Sequence, residues 1–597
     1  MKVDLFKHLN TEQNAAVSQA TGPSVILAGA GSGKTRVLVH KVLNLVLNHE
    51  VNPDEIVMIT FTNKAAREMK DRILKAIPKE TGATHMGYVG TFHSFCCSIL
   101  RRQAYHLGLG SSFTIYDADD QQAVLKTVIK KLEIKKFTPS YFANRISAAK
   151  NQLIPPERYL TIFSDWGAPQ VAQVYQEYQN QLTKNMAMDF DDLIMRTVEI
   201  FTKHPHVLET YQEKYKYILV DEFQDTNYSQ YVLTRILARR YNNITVVGDF
   251  SQSIYSWRGA DIRNLEKFQS DFPETKVYYL EKNYRSTQTI LDFAYSIISQ
   301  NQLHPILKLH TDNVKGQDIT YYEADNEEEE SVYIANKIQQ LKEGDEYSAF
   351  AVLYRTNAQS RAIEEAFLHY GIPYTLYGGT RFYERKEIKD VMSYLRLLVN
   401  PQDEIATDRI KKLGKKYWTK FKAVFDELHG QVEELSTVDV MDRIFQDTGY
   451  LDLYNSEDEE DYSRLENIKE LKSVATNFPK VVEFLEQVSL VESEYFDGEK
   501  LRRNQNGVRL MTLHQAKGLE FPYVFIAGVE EGILPHSRSV DDMFQLEEER
   551  RLFYVGITRA REELFITYTK RRFIFGRRNE VIKSRFIGGG EEQRWDY

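Results

Sequence analysis

A glycine-rich segment near the start of the chain has the residue types needed to hold a nucleoside triphosphate. The apolar run 25–27 is followed by Ala28, Gly29, Ala30, Gly31, Ser32, Gly33, Lys34, Thr35 and Arg36. Glycines let consecutive backbone N–H groups curl around phosphate oxygens, and the N-terminus of a following helix adds positive potential. Lys34 can reach the β- and γ-phosphates, and the Thr35 hydroxyl can hold Mg²⁺. The segment predicts a P-loop, with Ala28 where glycine is usual.

Two carboxylates follow a second apolar run, 217–220. Hydrolysis at a P-loop needs one carboxylate on Mg²⁺ and another group to orient or deprotonate the attacking water. We assign Asp221 to the metal and Glu222 to the water. Gln252 comes shortly after the run 245–247, where an amide is placed to sense the γ-phosphate and the attacking water.

The elements that must position these residues are short apolar runs rich in β-branched side chains. They form two sets, 25–27, 56–59, 217–220 and 245–247 in the first half and 350–354, 524–527 and 564–567 in the second. Such runs, ending in small or acidic residues, are typical of parallel strands in α/β sheets. Residues from about 93 to 205 and from about 401 to 505 have a helical pattern. The acidic stretch from Glu327 to Glu330 predicts a helix start, because acids favour helix N-termini.

Composition narrows the class of protein. The chain has 597 residues, 42% hydrophobic and 27% charged, which excludes extended disorder and a disulfide scaffold. No apolar run approaches the ~18–20 residues of a membrane span, and the N-terminus is too charged for a signal peptide. The only cysteines are the adjacent Cys96 and Cys97, which fits a reducing cytoplasm. A net charge of −9 neither supports nor refutes nucleic-acid binding, because a local groove can attract DNA whatever the total charge.

Six longer motifs carry a family resemblance. They are 60–66 (TFTNKAA), 221–226 (DEFQDT), 252–260 (QSIYSWRGA), 283–287 (NYRST), 514–520 (HQAKGLE) and 554–560 (YVGITRA). Together with 9–13 (LNTEQ), they resemble the motifs of the UvrD/Rep/PcrA type of superfamily 1A DNA helicases, in the family's order. The resemblance extends from residue 9 to residue 576.

The resemblance implies an α/β fold with two RecA-like P-loop NTPase cores, 1A and 2A, each carrying a mainly helical insertion, 1B or 2B. We expect 1A at 1–92 and 206–282, 1B at 93–205, 2A at 283–400 and 506–597, and 2B at 401–505. This 2B is shorter than is usual in the family. The chain also stops soon after Ile587, without the C-terminal extension of many members, so we expect no fused nuclease.

The resemblance also implies an ATP-dependent motor that moves 3′ to 5′ along single-stranded DNA, with ATP and Mg²⁺ bound between the cores. Gln13 would read the adenine edge by donating and accepting at once. Tyr284 would stack on the adenine ring from the other core. Arg285 and Arg559 would act as arginine fingers from the second core.

Further roles follow from the same resemblance. Glu520 would face the ribose and phosphates, and Arg258 would link Gln252 to the DNA. The nucleotide-binding set is therefore Gln13, residues 28–36, Tyr284, Arg285, Glu520 and Arg559.

A strand-binding surface needs aromatic faces for bases and cations for phosphates. The candidates are Phe61, Asn63, Phe92, His93, Tyr255, Trp257, Arg258, His514 and Phe575. If 255–257 is extended, alternation puts Tyr255 and Trp257 on one side, beside Arg258. Phe575 lies in the basic stretch 570–578. This stretch is interpreted either as a DNA contact or as a solvent-exposed edge of a β-strand.

A turn in the second insertion allows two interpretations. Gly414 lies between lysines at the start of a predicted helix. Backbone N–H groups of Gly414 and Lys415 would hold a duplex phosphate in a helix-hairpin-helix arrangement; alternatively, the segment is an amphipathic helix with a basic face.

The leading prediction is an ATP-dependent DNA helicase in DNA repair or replication. It would act at single-strand–duplex junctions, in the cytoplasm and away from membranes, as a monomer or weakly self-associating protein, with possible repair or replication partners. The alternatives are a translocase that strips bound proteins but unwinds weakly, and an ATP-gated scaffold without useful turnover. RNA is a further possible substrate, because stacking does not read the 2′-OH.

Overall fold

A computed structural model describes residues 6–77, 85–344, 346–377, 379–489, 506–574 and 577–588. The side chains of 459 and 574–578 are outside this description. The described residues fall into two compact units, one within Met1–Arg285 and Asn301–Asp312 and the other within Ser286–Gln300 and Asn313–Tyr597. Within the described residues, no helix is both long and apolar enough to cross a membrane.

The first unit contains a six-stranded, all-parallel sheet in the order β3-β2-β6-β7-β1-β8. Its strands and those of two small accessory pairs are β1 (Ser24–Ala28), β2 (Ile56–Thr60), β3 (Tyr88–Thr91), β4 (Thr114–Tyr116), β5 (Ala187–Asp189), β6 (Tyr217–Val220), β7 (Ile244–Gly248), β8 (Lys276–Leu280), β9 (Lys282–Asn283) and β10 (His310–Thr311). Strands β1, β2 and β7 are buried along their whole length, which explains their continuous apolar runs.

Helices cover this sheet and build the insertion between β3 and β6. They are Thr11–Ser18, Lys34–Asn48, Asn63–Ala76, Phe92–Gln103, Ala118–Lys131, Pro139–Asn151, Tyr159–Ile162, Ala168–Lys184, Phe190–Lys203, Pro205–Lys214, Tyr228–Ala238 and Asn264–Asp271. Phe92–Gln103 and Phe190–Lys203 pack into the core of the sheet. A separate core, from Leu125 to Ala187, lies within the insertion.

The second unit contains another six-stranded parallel sheet, in the order β11-β16-β15-β12-β14-β13. The strands are β11 (Thr320–Ala324), β12 (Phe350–Tyr354), β13 (Tyr374–Leu376), β14 (Val508–Thr512), β15 (Phe521–Ile526) and β16 (Ala560–Thr569), with the antiparallel pair β17 (Arg571–Ile574) and β18 (Arg577–Glu580). Two parallel sheets with helical insertions confirm the predicted fold class.

The helices of the second unit include those of the shorter insertion. They are Gln288–Ile298, Glu327–Leu341, Ser360–His369, Lys386–Val399, Glu404–Leu413, Lys415–Leu428, Thr437–Thr448, Glu459–Ala475 and Met543–Ile557, with a further helical segment at 481–489. The predicted helix start at Glu327 is confirmed, with Asn326 as its N-cap. The described part of this insertion shares a core with the sheet: Phe421 and Ile444 belong to the same apolar cluster as Phe350 and Val352 of β12.

Candidate nucleotide and nucleic-acid sites

The P-loop joins β1 to helix Lys34–Asn48. Its N-cap, Gly33, has a φ of 86° and supplies no side-chain cap, so the first turn of the helix keeps its N–H groups for a ligand. Ser32 closes the turn by donating from both N and Oγ to the carbonyl of Gly29, at 3.3 and 2.9 Å. This strand, turn and helix form the geometry that holds phosphates in P-loop proteins.

Gly31 is needed for both conformation and space. Its φ is 65°, and a Cβ there would lie 2.7 Å from Asn283 Nδ2 and 2.8 Å from Arg285 Cβ. Asn283 Nδ2 donates to the Ala30 carbonyl at 2.6 Å, and Tyr284 N donates to the Gly31 carbonyl at 3.0 Å. The segment after β9 therefore braces the P-loop.

The prediction places Tyr284 and Arg285 in the second core; in the structure both group with the first unit, beside the P-loop. The cause is local: Asn283 is bound to the P-loop backbone, and Arg285 N donates to Asn283 Oδ1 at 2.7 Å. The ring of Tyr284 is 45% exposed, as a stacking platform requires.

Gln13 occupies a different position from the one its expected role requires. Its side chain is fully buried. Its Nε2 donates to the Ser32 carbonyl at 2.9 Å, and its Oε1 accepts from Asn10 N at 3.2 Å in a capping box. In this conformation Gln13 supports the P-loop, and its oxygen is not presented to an adenine edge.

The paired carboxylates lie at the carboxyl end of β6. Burial, together with the negative charge of Glu222, raises the pKa of Asp221 to about 7, although Lys34 opposes the shift. Among the described residues, no hydrogen-bond donor reaches Asp221 Oδ1, which is buried. A buried carboxylate oxygen in need of a positive partner fits a Mg²⁺ ligand.

Glu222 is held in an unusual backbone conformation. Its φ is 51°, in the left-handed region that non-glycine residues seldom occupy. Its carboxylate accepts a hydrogen bond from Gln224 Nε2 at 2.5 Å. Gln224 Oε1 in turn accepts from Asp249 N at 3.1 Å, which ties the carboxylate to the end of β7.

Asp249 organises the other side of the site. Gln252 Nε2 donates to Asp249 Oδ2 at 2.6 Å, and the Lys34 ammonium lies 4.0 Å from the same oxygen. Burial raises the pKa of Asp249, while Lys34 lowers it. The structure thus brings Lys34, Asp221, Glu222 and Gln252 to the carboxyl edge of one sheet, as predicted from their spacing.

In the second unit, the predicted nucleotide residues Glu520 and Arg559 lie at the amino ends of strands of its sheet. Glu520 precedes β15 and Arg559 precedes β16, and Phe521 N donates to the Arg559 carbonyl at 2.9 Å. The Arg559 side chain is buried and donates within this unit to the carbonyls of Val555 and Leu519, at 2.9 and 3.0 Å. His514 lies beyond the carboxyl end of β14.

An aromatic cluster lies beyond the carboxyl edge of the first sheet. The rings of Phe61 and Tyr255 are 5.9 Å apart and nearly parallel, and Trp257 lies edge-on to Tyr255 at 6.4 Å. Arg258 lies over the Trp257 ring at 4.4 Å, and 51% of Trp257 is exposed. The segment is a 3₁₀ turn, Ser256–Arg258, so the predicted extended alternation is wrong. Asn63 is exposed at the start of the helix after β2.

Two helices that follow β3 and β5 carry the other aromatic candidates. Phe92 is only 3% exposed and packs into the core of the sheet, so it offers no stacking face, contrary to expectation. His93 is partly exposed, and burial lowers its pKa. Its ring meets the ring of Phe190 edge-on at 5.8 Å, and Phe190 is 51% exposed. The sequence analysis missed Phe190; the carboxylates on both sides of it, which mark a helix start, were the available signal.

Two basic segments make contacts within the protein. Phe575 lies outside the described residues, but Arg572 in the same stretch is buried between Glu330 and Glu530, at 2.7 and 2.8 Å. In the second insertion, Gly414 N donates to the Lys411 carbonyl at 3.1 Å, so this N–H is not available to a phosphate.

Comparison with known proteins agrees with the geometry. Residues 9–273 match the UvrD/REP helicase N-terminal domain, and residues 278–449 and 410–571 match the UvrD-like helicase C-terminal domain. The chain is 42% identical to the ATP-dependent DNA helicase PcrA of Staphylococcus aureus strain Mu50, over 98% of this chain and 86% of that protein. It is equally similar to PcrA of Staphylococcus epidermidis strain ATCC 35984, with the same coverage. The chain belongs to the UvrD/REP helicase family.

Proposed function

We propose that this protein is an ATP-dependent DNA helicase that moves 3′ to 5′ along single-stranded DNA and unwinds duplex ahead of it. One observation carries the proposal: the P-loop with its carboxylates and the exposed aromatic cluster lie beyond the carboxyl ends of strands of a single parallel sheet. Ligands of parallel α/β sheets bind at this edge. The comparison proteins, named as ATP-dependent DNA helicases, support the same function.

Each residue of the nucleotide site has a role in hydrolysis. The backbone N–H groups of 29–35 and the Lys34 ammonium hold the phosphates of ATP. Glu222 accepts a proton from the attacking water, and Gln252 contacts that water and the γ-phosphate. Mg²⁺ fits Thr35 and Asp221, where it would neutralise charge on the phosphates. The hydrogen bond from Gln224 keeps the Glu222 carboxylate oriented.

The remaining assignments are part of this proposal. Tyr284 stacks on adenine, Gln13 reads its edge after giving up an internal hydrogen bond, and Glu520 faces the ribose and phosphates. Arg285 and Arg559 stabilise the charge of the transition state. The single-stranded DNA contacts Phe61, Asn63, His93, Phe190, Tyr255, Trp257, Arg258, His514 and Phe575.

The proposal extends to organisation and setting. Its domains are 1A (1–92 and 206–282), 1B (93–205), 2A (283–400 and 506–597) and 2B (401–505). The protein works in the cytoplasm, as a monomer or weakly self-associating, at single-strand–duplex junctions, with repair or replication proteins as partners.

Unwinding of tailed duplexes tests the function. The expected result is ATP-dependent strand separation with a 3′ single-stranded tail and none with a 5′ tail, because movement starts on the tail strand. Glu222→Gln serves as the inactive control. Unwinding from 5′ tails alone would contradict the direction. Displacement of streptavidin from a biotinylated 5′ end without strand separation would favour the protein-stripping translocase.

A further inference from the structure

The end of helix Pro139–Asn151 reaches a segment that carries a strand-binding aromatic. The Lys150 ammonium is fully buried and lies 2.7 Å from Asp189 Oδ2 and 2.9 Å from Asp192 Oδ1. Phe190, with its exposed ring, lies between these two carboxylates in the chain. Lys150 therefore fixes the start of the helix that presents Phe190.

The next residue of the same helix faces a different segment. Asn151 Oδ1 accepts a hydrogen bond from Asn227 Nδ2 at 2.7 Å. Asn227 directly follows the motif that contains Asp221 and Glu222, and it is 7% exposed. Its own Oδ1 caps helix Tyr228–Ala238, so both ends of its amide are committed.

The segment bound by Asn151 also anchors the loop that carries Trp257. Asp261 N and Asn264 Nδ2 both donate to the Thr226 carbonyl, at 3.0 and 2.8 Å. Gly259 ends the Trp257 turn, and a Cβ built there would lie 3.7 Å from Asn151 Nδ2. Asn151 thus makes a hydrogen bond to the carboxylate-bearing segment and lies beside Gly259 of the aromatic loop.

We infer that Asn151 is a positioning residue that couples strand binding to ATP hydrolysis. It acts through Asn227: its side-chain oxygen holds the junction between the Glu222 segment and the Trp257 loop against the helical insertion. Without this acceptor, the buried Asn227 Nδ2 loses its hydrogen-bond partner. The Glu222 segment and the Trp257 loop then move independently. This inference rests on the proposed function, because it assigns the residue that links the two halves of that function.

ATP hydrolysis measured against oligo-dT concentration tests the inference, with Asn151→Ala, Asn151→Asp and Gln152→Ala beside the unaltered protein. The loss of one buried hydrogen bond predicts an about five- to tenfold lower maximal DNA stimulation for Asn151→Ala. Asn151→Asp retains the acceptor oxygen and should restore most of the stimulation. Gln152 is exposed at the adjacent position, so Gln152→Ala should match the unaltered protein.

Each outcome has a distinct meaning. Full stimulation of Asn151→Ala would overturn the inference and leave the proposed function intact. Equal losses in the alanine and aspartate variants would also overturn it, because the acceptor would then be irrelevant. An unaltered protein that DNA does not stimulate would overturn the proposed function itself. If Asn151→Ala fails to fold, Asn151→Ser, whose hydroxyl is too short to reach Asn227, takes its place.

Discussion

The two parallel sheets use a helix N-terminus in opposite ways. In the first unit, β1 leads through glycines to helix Lys34–Asn48, and no side chain caps its first turn. In the second unit, β11 leads to helix Glu327–Leu341, and the Asn326 side chain caps its first turn by accepting from Glu328 N and Glu329 N, at 3.1 and 2.9 Å. The Glu330 carboxylate in that turn accepts from Gly528 N at 2.8 Å. The same carboxylate pairs with the buried Arg572 at 2.7 Å.

This difference shows that one architecture can leave the N–H groups of a helix start uncapped in one unit and cap them with a side chain in the other. A helix N-terminus attracts an anion. The first unit leaves these N–H groups uncapped, as binding of a phosphate would require, whereas the second satisfies two of them with Asn326. We expect Glu222, beside the uncapped helix, to control chemistry and the buried Glu330 to control stability.

The largest effect expected is on the chemistry of the first unit. In the proposed mechanism Glu222 accepts the proton of the attacking water, so Glu222→Gln should lower the rate of ATP hydrolysis by about 10²–10⁴-fold. Binding of ATP should persist, because the P-loop is unchanged. Steady-state turnover and nucleotide titration measure the two effects, with the exposed Glu274→Gln as control. Near-normal turnover would remove Glu222 from the mechanism.

The next effect is on the stability of the second unit. Glu330→Ala leaves Arg572 with only Glu530 and orphans Gly528 N, so the free energy of unfolding should fall by about 3–5 kcal/mol. Denaturant unfolding measures this loss. Asp325→Asn, which breaks an exposed pair with Lys570, should leave stability unchanged. If Glu330→Ala were as stable as the unaltered protein, the interpretation of Glu330 as a buried structural carboxylate would be wrong.

The smallest effect expected is on the binding of single-stranded DNA by the exposed Trp257. Trp257→Ala removes one stacking face and should weaken single-stranded DNA binding by about 2 kcal/mol, or about 30-fold. Tyr279→Ala, equally exposed at 51% but on the edge strand β8, should bind normally. Fluorescence anisotropy with labelled oligo-dT makes the comparison. Equal affinities of the two variants for oligo-dT would show that Trp257 does not stack on the DNA.

The sequence predicted what is local in the chain and missed what depends on packing. The P-loop and the acid pair after β6 were predictable, because each is a strand followed directly by its functional residues. The burial of Phe92 was not, because a helix start after a strand points one aromatic inward and the next residue outward. Likewise, the burial of Arg572 was not predictable, because folding brings Glu330 and Glu530 to it from distant parts of the chain.

ATP hydrolysis with and without oligo-dT, with oligo-U in parallel, tests the central claim most directly. We expect strong stimulation by oligo-dT, because the proposed phosphate site and the exposed aromatics share one sheet edge. We expect little stimulation by oligo-U, because the proposed function is that of a DNA helicase. Equal stimulation by oligo-U would make RNA a substrate. No stimulation by either polymer would contradict the coupling of strand binding to hydrolysis.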